Sequence, residues 1–142
     1  MNTSKEKLQA AMQYAMEHRP EVGGFPFSAE CLRKVGVEKD IWFLPSAQSF
    51  YIMSDCSVVN QGTPLLTGMQ DIPAFDEQAL VAAIRTDQTG NGTFPEFLPA
   101  TLNAGIVEYV VDFAARTVAY NGAKRECYME EYPAVGVEGL PF

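Results

Sequence analysis

The residues of this sequence that could carry out chemistry are few and widely spaced. Cys31, Cys56 and Cys127 are the candidate nucleophiles, and His18 is the single candidate imidazole base. A catalytic thiolate needs such a base or a positively charged neighbourhood. Because no short spacing joins His18 to a cysteine, we favour reduced, half-buried thiols that pack as small hydrophobic side chains over a Cys–His dyad.

Two pairs of opposite charge are close in the sequence and offer acid–base groups. Asp112 precedes Arg116, and Lys124 precedes Glu126. Pairs with this spacing at the ends of hairpins are more often ion pairs than catalytic groups. The single histidine excludes multi-histidine metal sites. We therefore predict no catalytic residues, no bound cofactor and no metal site.

One loop imitates the first part of an EF-hand calcium site. It runs from Asp87 to Phe94, with Asp87 at the position of the first ligand. The twelfth position should supply a bidentate Glu, and it is Leu98. One carboxylate among the first five positions cannot offset the dehydration of Ca²⁺. We predict a flexible Gly-rich connection, with Thr93 as a helix cap, that does not bind Ca²⁺.

The composition limits the classes of partner. The 142 residues carry 10 Lys and Arg against 18 Asp and Glu, a net charge of −8. This charge would repel nucleic acid and anionic membranes, and no apolar stretch is long enough to cross a bilayer. The first residues run into an amphipathic pattern without the apolar core of a secretory signal. We expect a single cytoplasmic domain, 1–142, that binds neither nucleic acid nor membranes.

Local patterns predict the elements that position these residues. Thr3 and Glu6 form a T-x-x-E capping box, and helices are expected over 4–18, 27–35, 76–86 and 95–104. Period-2 patterns predict strands over 37–44, 49–54, 106–113, 117–121 and 126–132, and a short pair at 57–60 and 65–67. Asn121-Gly122 is typical of a type I′ turn. Two Gly and two Pro predict a loose tail over 133–142.

The two halves of the chain resemble each other when they are aligned at one constant offset. Phe25-Pro26 then corresponds to Phe94-Pro95, and glycine recurs at Gly36 and Gly105, each just after a predicted helix. Glycine and proline fit the special backbone angles that such boundaries need. The placement of these matches therefore favours an internal repeat over chance.

These observations predict an α+β fold. Its antiparallel sheet should have helices packed on one side and consist of two similar helix-helix-strand repeats, about 4–70 and 73–132, related by a pseudo-twofold axis. A cleft between the halves could be lined by aromatic side chains. These are Phe25, Phe27, Trp42, Phe43, Phe50 and Tyr51 in the first half and Tyr109, Tyr120, Tyr128 and Tyr132 in the second. An ordinary core and sheet surface is the competing interpretation.

The C-terminal half carries a family resemblance. From Phe94 to Glu130 the chain reads F-P-x-F-x(7)-G-I-V-x-Y-V-V-D-F-x-x-R-T-V-x-Y-x-G-x-x-x-E-C-Y-x-E. It resembles small bacterial and prophage-encoded proteins often labelled "phage envelope protein". The likeness rests on Phe94, Phe97, Gly105, Tyr109, Asp112, Arg116, Thr117, Tyr120 and Glu126. Pro99 departs from the family pattern. The resemblance implies a duplicated α+β fold and no established activity.

The segment from Ile41 to Gln70 is poor in charge. Asp55 is its one charged residue, whereas the chain as a whole is 20% charged. Either its strands are covered on both faces, or one is an edge strand open to another chain. Its uncharged polar residues favour an interface, so we predict that 41–70 contacts a second copy or a partner protein. This makes the chain a non-enzymatic protein-interaction module, prophage-accessory if the resemblance holds. A small-molecule-binding protein, or an enzyme with an aromatic pocket between the repeats, is the alternative.

Overall fold

The computed structural model describes residues 3–20, 24–89 and 94–137, and in these ranges it contains four α-helices and one six-stranded antiparallel sheet. The helices are α1 Ser4–His18, α2 Gly24–Lys34, α3 Glu77–Gln88 and α4 Phe94–Asn103. The strands are β1 Val37–Phe43, β2 Gln48–Met53, β3 Ser57–Gln61, β4 Ile106–Asp112, β5 Thr117–Gly122 and β6 Cys127–Glu131. The predicted α+β class is confirmed.

Local signals in the sequence set the starts of two helices. At α1, the Thr3 hydroxyl accepts a hydrogen bond from the Glu6 amide (3.2 Å), and the Glu6 carboxylate accepts one from the Thr3 amide (3.5 Å). This is the predicted capping box. At α3, the Asp76 carboxylate accepts from the Ala79 amide at 3.1 Å. Each cap pairs an amide that the helix itself leaves without a partner.

Two glycines turn a helix into the following strand. Gly36 follows α2 with φ +97°, and Gly105 follows α4 with φ +86°. Side chains disfavour this left-handed region, so glycine is the residue that ends these helices at low cost. At Gly105 a Cβ atom would also lie 2.5 Å from the carbonyl oxygen of Ala74. That position therefore requires glycine for space as well as for conformation.

The strand order is β3-β2-β1-β4-β5-β6, so each half contributes three consecutive strands and β1 pairs with β4 at the centre. Ile41 lies opposite Val110, its own counterpart at the offset that relates Phe25 to Phe94. The register irregularity that follows Val37 recurs after Ile106, which are counterparts at the same offset. A repeated unit would produce this regularity. Register alone does not establish a duplication, which stays a prediction.

The helices pack on one face of the sheet, as predicted. Buried residues of all four helices belong to one hydrophobic cluster with alternate residues of the strands, among them Leu8, Ala29, Leu80, Ile84, Leu98, Leu102, Val37, Tyr51, Met53, Tyr109, Val111, Val118 and Tyr120. Successive strand residues point to opposite faces. In β2, Tyr51 is therefore buried under the helices and Phe50 is exposed on the other side.

The other face of the sheet carries a continuous row of apolar side chains. The row takes one residue from each strand, in directly opposite positions: Val59, Phe50, Ile41, Val110, Ala119 and Met129. We call these six residues the apolar row. The exposed fractions of Val59, Phe50 and Met129 are 57%, 41% and 58%. The charge-poor segment 41–70 thus contributes to both faces of the sheet.

One turn prediction and one strand prediction differ from the structure. Asn121 and Gly122 end β5 and do not form a type I′ turn, because Asn121 still pairs with Cys127. The chain reverses after them, with Arg125 at φ +67° and its amide donating to the Gly122 carbonyl at 3.1 Å. The expected strand at 65–67 does not form. There the Leu65 amide donates to the Pro45 carbonyl instead, at 3.0 Å.

The described part of the predicted tail, 133–137, has no regular secondary structure. Val137 is nevertheless only 3% exposed and belongs to a small cluster with Ala15 and Cys31. This end of the described chain is therefore anchored against α1 and α2. Residues 138–142 lie outside the described part of the chain.

Candidate functional site

A cavity of about 450 Å³ lies between the helices and the helix-facing side of the sheet. All four helices contribute to its walls, and β1, β2, β4, β5 and the end of β6 form its floor. Well-packed cores rarely leave a void much larger than a water molecule. A cavity of this size falls in the range that ligand pockets occupy.

Aromatic side chains from both halves form the floor of the cavity. Trp42 of β1 stacks on Tyr109 of β4, with ring centroids 5.9 Å apart and planes 21° from parallel. Tyr109 is also 5.9 Å from Tyr120 of β5, measured between ring centroids. Direct cross-strand pairing brings these rings together, because Trp42 lies opposite Tyr109 and Tyr109 lies opposite Tyr120.

Asp40 places a carboxyl group among these rings. Its residue is only 6% exposed, and one carboxyl oxygen, Oδ2, accepts a hydrogen bond from the Trp42 indole Nε1 at 2.9 Å. The other oxygen, Oδ1, is buried and has no hydrogen-bond partner among the described residues. A buried polar atom without a partner is costly, and such an atom in a native structure calls for an explanation, such as a functional role or a bound water or ion.

Burial controls the protonation of this carboxyl. Desolvation raises the pKa of Asp40 to about 8, against a smaller opposing effect of the Trp42 hydrogen bond. Asp40 is therefore mostly protonated at neutral pH. Burial, with a further contribution from Asp40, also raises the pKa values of Tyr51 and Tyr109 well above that of a free phenol. Both phenols stay neutral.

The walls of the cavity come from the helices and are mainly apolar. They comprise Met12, Ala15 and Met16 of α1, Arg19 just after α1, Phe25, Ser28 and Leu32 of α2, Ile84, Asp87 and Gln88 of α3, and Phe97 of α4. Among these lining residues, Ile84 is buried and Met16 is 70% exposed to solvent. The cavity thus extends from the core to the surface.

The charged residues that line the cavity are mostly acidic. Asp40, Asp87, Glu130 and Glu131 face a single lining cation, Arg19, among the described residues. Glu130 is held by the Arg85 guanidinium, at 2.7 and 3.0 Å. That guanidinium, more than any other group, keeps the pKa of Glu130 low. Burial raises the pKa of Asp87, with Arg19 acting in the opposite direction.

The cysteines and the histidine do not enter this cavity. Cys31 is fully buried in the small cluster with Ala15 and Val137, and desolvation raises the pKa of its thiol. The prediction of half-buried thiols is wrong, because Cys56 and Cys127 are exposed. The His18 Nδ1 atom lies 2.9 Å from the Tyr14 carbonyl oxygen, and its ring stacks on that of Tyr14.

The candidate acid–base pairs stabilise turns. Asp112 accepts hydrogen bonds from the amides of Ala114 and Ala115, at 3.1 and 3.0 Å. Glu126 accepts one from the Lys124 amide at 2.9 Å. Both carboxylates thus bond to backbone in the hairpin loops, where neither lines the cavity.

The calcium-like loop is only partly described. Residues 90–93, including the predicted cap Thr93, lie outside the described residues. Its first position, Asp87, lines the cavity. Within the described ranges, no group of three or more His, Cys, Asp or Glu side chains is placed to hold a metal ion.

Sequence reasoning singled out most of the aromatic residues of the site but missed Asp40. Phe25, Trp42, Tyr51, Tyr109, Tyr120 and Tyr132 line the cavity. Phe43 and Phe50, by contrast, are exposed, and Phe27 packs in the small cluster. The available signal for Asp40 was its position two residues before Trp42 in a predicted strand, which puts both on one face.

Comparison with known proteins finds relatives of this chain in mycobacteria. No protein-family model matches it. Over 139 residues, or 98% of the chain, it is 45% identical to the uncharacterised proteins Rv2012 of Mycobacterium tuberculosis and Mb2035 of Mycobacterium bovis. The match covers 85% of each relative. The chain belongs to the family of these mycobacterial proteins. The prophage-related resemblance stays a prediction.

Within the described part of the chain, no helix combines the length and apolar character needed to cross a membrane. The longest, α1, has 15 residues and an exposed face that carries charge.

Proposed function

We propose that this protein binds a small, largely apolar molecule in the cavity between the helices and the sheet. The observation that carries the proposal is the 450 Å³ cavity itself, which aromatic side chains of both halves line around a buried carboxyl. This is the pocket-based alternative that the aromatic residues indicated. We favour this small-molecule-binding function over that of a protein-interaction module.

The lining suits a ligand that is apolar over most of its surface. Binding pockets in proteins typically combine apolar and aromatic walls with a few polar groups that orient the ligand. Here Phe25, Leu32 and Ile84 offer apolar wall, and Asp40 offers a polar contact at the floor. A ligand of about 10 to 20 non-hydrogen atoms would fit such a pocket.

Trp42 makes the proposal simple to test. It is the single tryptophan of the sequence and lies in the cavity floor, so its fluorescence reports on the pocket alone. We expect a subset of small aromatic compounds to change this fluorescence saturably and to raise the melting temperature.

A cavity-filling variant and a matched control complete this experiment. Ser28→Phe places a ring in the cavity wall and should abolish both signals. Gln13→Phe makes a similar change on the exposed side of α1 and should leave them intact. Equal binding by both variants, or no saturable response to any compound of a fragment panel, would contradict the proposal.

A second candidate function rests on the apolar row. Phe50 and Val59 are exposed at positions where a solvated sheet face normally carries polar residues. The apolar row extends by two apolar side chains on each side of the central pair Ile41 and Val110. Two copies related by a twofold axis can therefore pack their rows against each other. We propose a second copy of this chain as the occupant, in line with the predicted contact through 41–70.

Light scattering of two charge variants tests this second candidate. Phe50→Lys places charge in the apolar row, whereas Glu38→Lys, at an exposed position of β1, is the control. A dimer that the first variant dissociates and the second leaves intact supports it. A wild type that stays monomeric at concentrations up to about 100 μM would refute it, because a stable dimer would have formed at that concentration.

A cytoplasmic location and a prophage-accessory role are part of the same proposal. The three free cysteines, typical of a reducing compartment, support the first, and the sequence resemblance from Phe94 to Glu130 supports the second.

A further inference from the structure

We propose that the ligand of this cavity is an organic cation, an amine or quaternary ammonium with an apolar body, whose charged end lies between Asp40 and the aromatic floor. The inference rests on the proposed binding function and names the chemical class of its ligand. Three independent features of the described residues support it.

The first feature is the unpaired carboxyl oxygen. Oδ1 of Asp40 is buried in the cavity floor without a hydrogen-bond partner among the described residues, while Oδ2 is held by Trp42. The Trp42 bond fixes the orientation of the carboxyl group, so Oδ1 keeps a defined position and becomes a charged acceptor when Asp40 ionises. A cationic group is the partner that compensates a buried carboxylate best.

The second feature is the set of ring faces beside this carboxyl. Asp40 pairs directly with Tyr51 across β1 and β2, and Trp42 and Tyr109 are stacked on the same face of the sheet. Ring faces of Trp and Tyr attract cations, and the attraction is stronger where water is excluded. A carboxylate beside several such rings is the usual chemistry of ammonium recognition.

The third feature is the sign of the charge around the cavity. Besides Asp40, the titratable or charged side chains that line it among the described residues are Arg19 just after α1, Asp87 of α3, Tyr51, Tyr109, Tyr120, Tyr132, Glu130 and Glu131. None of the lining residues of α2 is charged. Arg85 neutralises Glu130, which leaves Asp87 and Glu131 against Arg19. The entrance therefore does not favour anions, and the net charge of −8 attracts cations.

Cation binding must be coupled to proton release from Asp40. The empty site holds a mostly protonated carboxyl at neutral pH, since burial raises its pKa to about 8. A cation favours the ionised form, so binding at neutral pH displaces about one proton to the buffer. With that pKa, the ionised fraction rises about 25-fold between pH 6.5 and pH 8.5, and the affinity for a cation of fixed charge should rise equally.

The test uses a probe whose own charge does not titrate. Benzyltrimethylammonium is compared with neopentylbenzene, its neutral carbon isostere, by calorimetry and Trp42 fluorescence at pH 6.5 and 8.5. At the higher pH we expect the cation to bind at least tenfold more tightly than the isostere. We also expect its affinity to fall about 25-fold at the lower pH.

Two variants separate the role of Asp40 from general charge attraction. Asp40→Asn keeps the shape of the side chain and an acceptor for Trp42, and should remove the pH dependence and most of the preference for the cation. Asp87→Asn removes a lining carboxylate and should keep the pH dependence. Circular dichroism and melting curves establish that both variants are folded.

The outcomes distinguish this inference from the proposed function. Equal affinity for the cation and its isostere, or a pH dependence that persists in Asp40→Asn, overturns the inference while a pocket for apolar ligands stands. Cation binding that survives in Ser28→Phe also overturns it, because the cation then binds elsewhere. Loss of all binding in Ser28→Phe, together with the expected pH dependence, supports both.

Discussion

Replacing Asp40 with Asn should change how the stability of this protein depends on pH. The Asp40 carboxyl is buried, and its pKa rises from 3.8 to about 8 on folding. Between these values the folded state keeps the proton that the unfolded state has lost. The folded state binds more protons, so the free energy of unfolding falls as pH rises through this window.

The magnitude follows from the size of the shift. Each pH unit between the two pKa values costs about 1.4 kcal/mol, so the wild type should lose about 2.7 kcal/mol between pH 5 and pH 7 through Asp40 alone. Asp40→Asn cannot lose this contribution. The difference in unfolding free energy between variant and wild type should therefore grow by about 2.7 kcal/mol in favour of the variant over those two pH units.

Urea denaturation of both proteins at pH 5, 6 and 7 measures this difference. Other carboxyl groups of the protein also have shifted pKa values. That of Asp87 is raised, and those of Glu30 and Glu130 are lowered. They are present in both proteins and cancel in the difference. For a chain of 142 residues the same change corresponds to about 9 °C in melting temperature.

A carboxylate control makes the result decisive. Asp55→Asn removes an exposed aspartate outside the cavity, and its curve should run parallel to that of the wild type. If the curves of Asp40→Asn and wild type also stay parallel within about 0.5 kcal/mol, Asp40 does not hold a proton in the folded state. The argument for proton release on cation binding would then fail.

Three further predictions concern the fold. Gly68→Ala should lower the free energy of unfolding by roughly 1 kcal/mol, and Gly105→Ala should lower it by more than twice as much, as measured by urea titration. Both glycines have positive φ, but only Gly105 of the two lies against neighbouring backbone. In the folded protein a thiol reagent should label two of the three cysteines, with the buried Cys31 reacting only on unfolding. Tyr51→Lys should unfold the protein, since Tyr51 is 3% exposed, whereas Val59→Lys should leave its circular dichroism spectrum unchanged.

The outcome for the charge-poor segment shows what strand pairing adds to local pattern. Of the two explanations proposed for 41–70, one placed an edge strand there, and β3 does lie at an edge of the sheet. The other assumed that the strands are covered on both faces. Instead, Tyr51 is buried under the helices and its neighbour Phe50 is exposed on the opposite face. A shift of a single position reverses the environment of a side chain in a strand. Composition averaged over the whole segment cannot resolve this difference.

The sequence by itself determined the features that depend on neighbours in the chain. The capping box of Thr3 and Glu6 and the glycines after α2 and α4 lie where the sequence placed them. Each is a short-range effect, in which a side chain satisfies a nearby amide or a residue permits a local backbone angle. Such effects act within about one helical turn and are therefore readable without the fold.

Only the tertiary structure decided where the candidate site lies. Asp40 and Trp42 belong to the first half of the chain and Tyr109 to the second, and pairing of β1 with β4 brings them together. The same pairing, with helices on one face, isolates the Asp40 carboxyl from water and raises its pKa. Desolvation depends on everything packed around a group, and that is set by contacts between distant parts of the chain. In the sequence Asp40 is one acidic residue among 18, and in the folded protein it is a buried acid in an aromatic cavity.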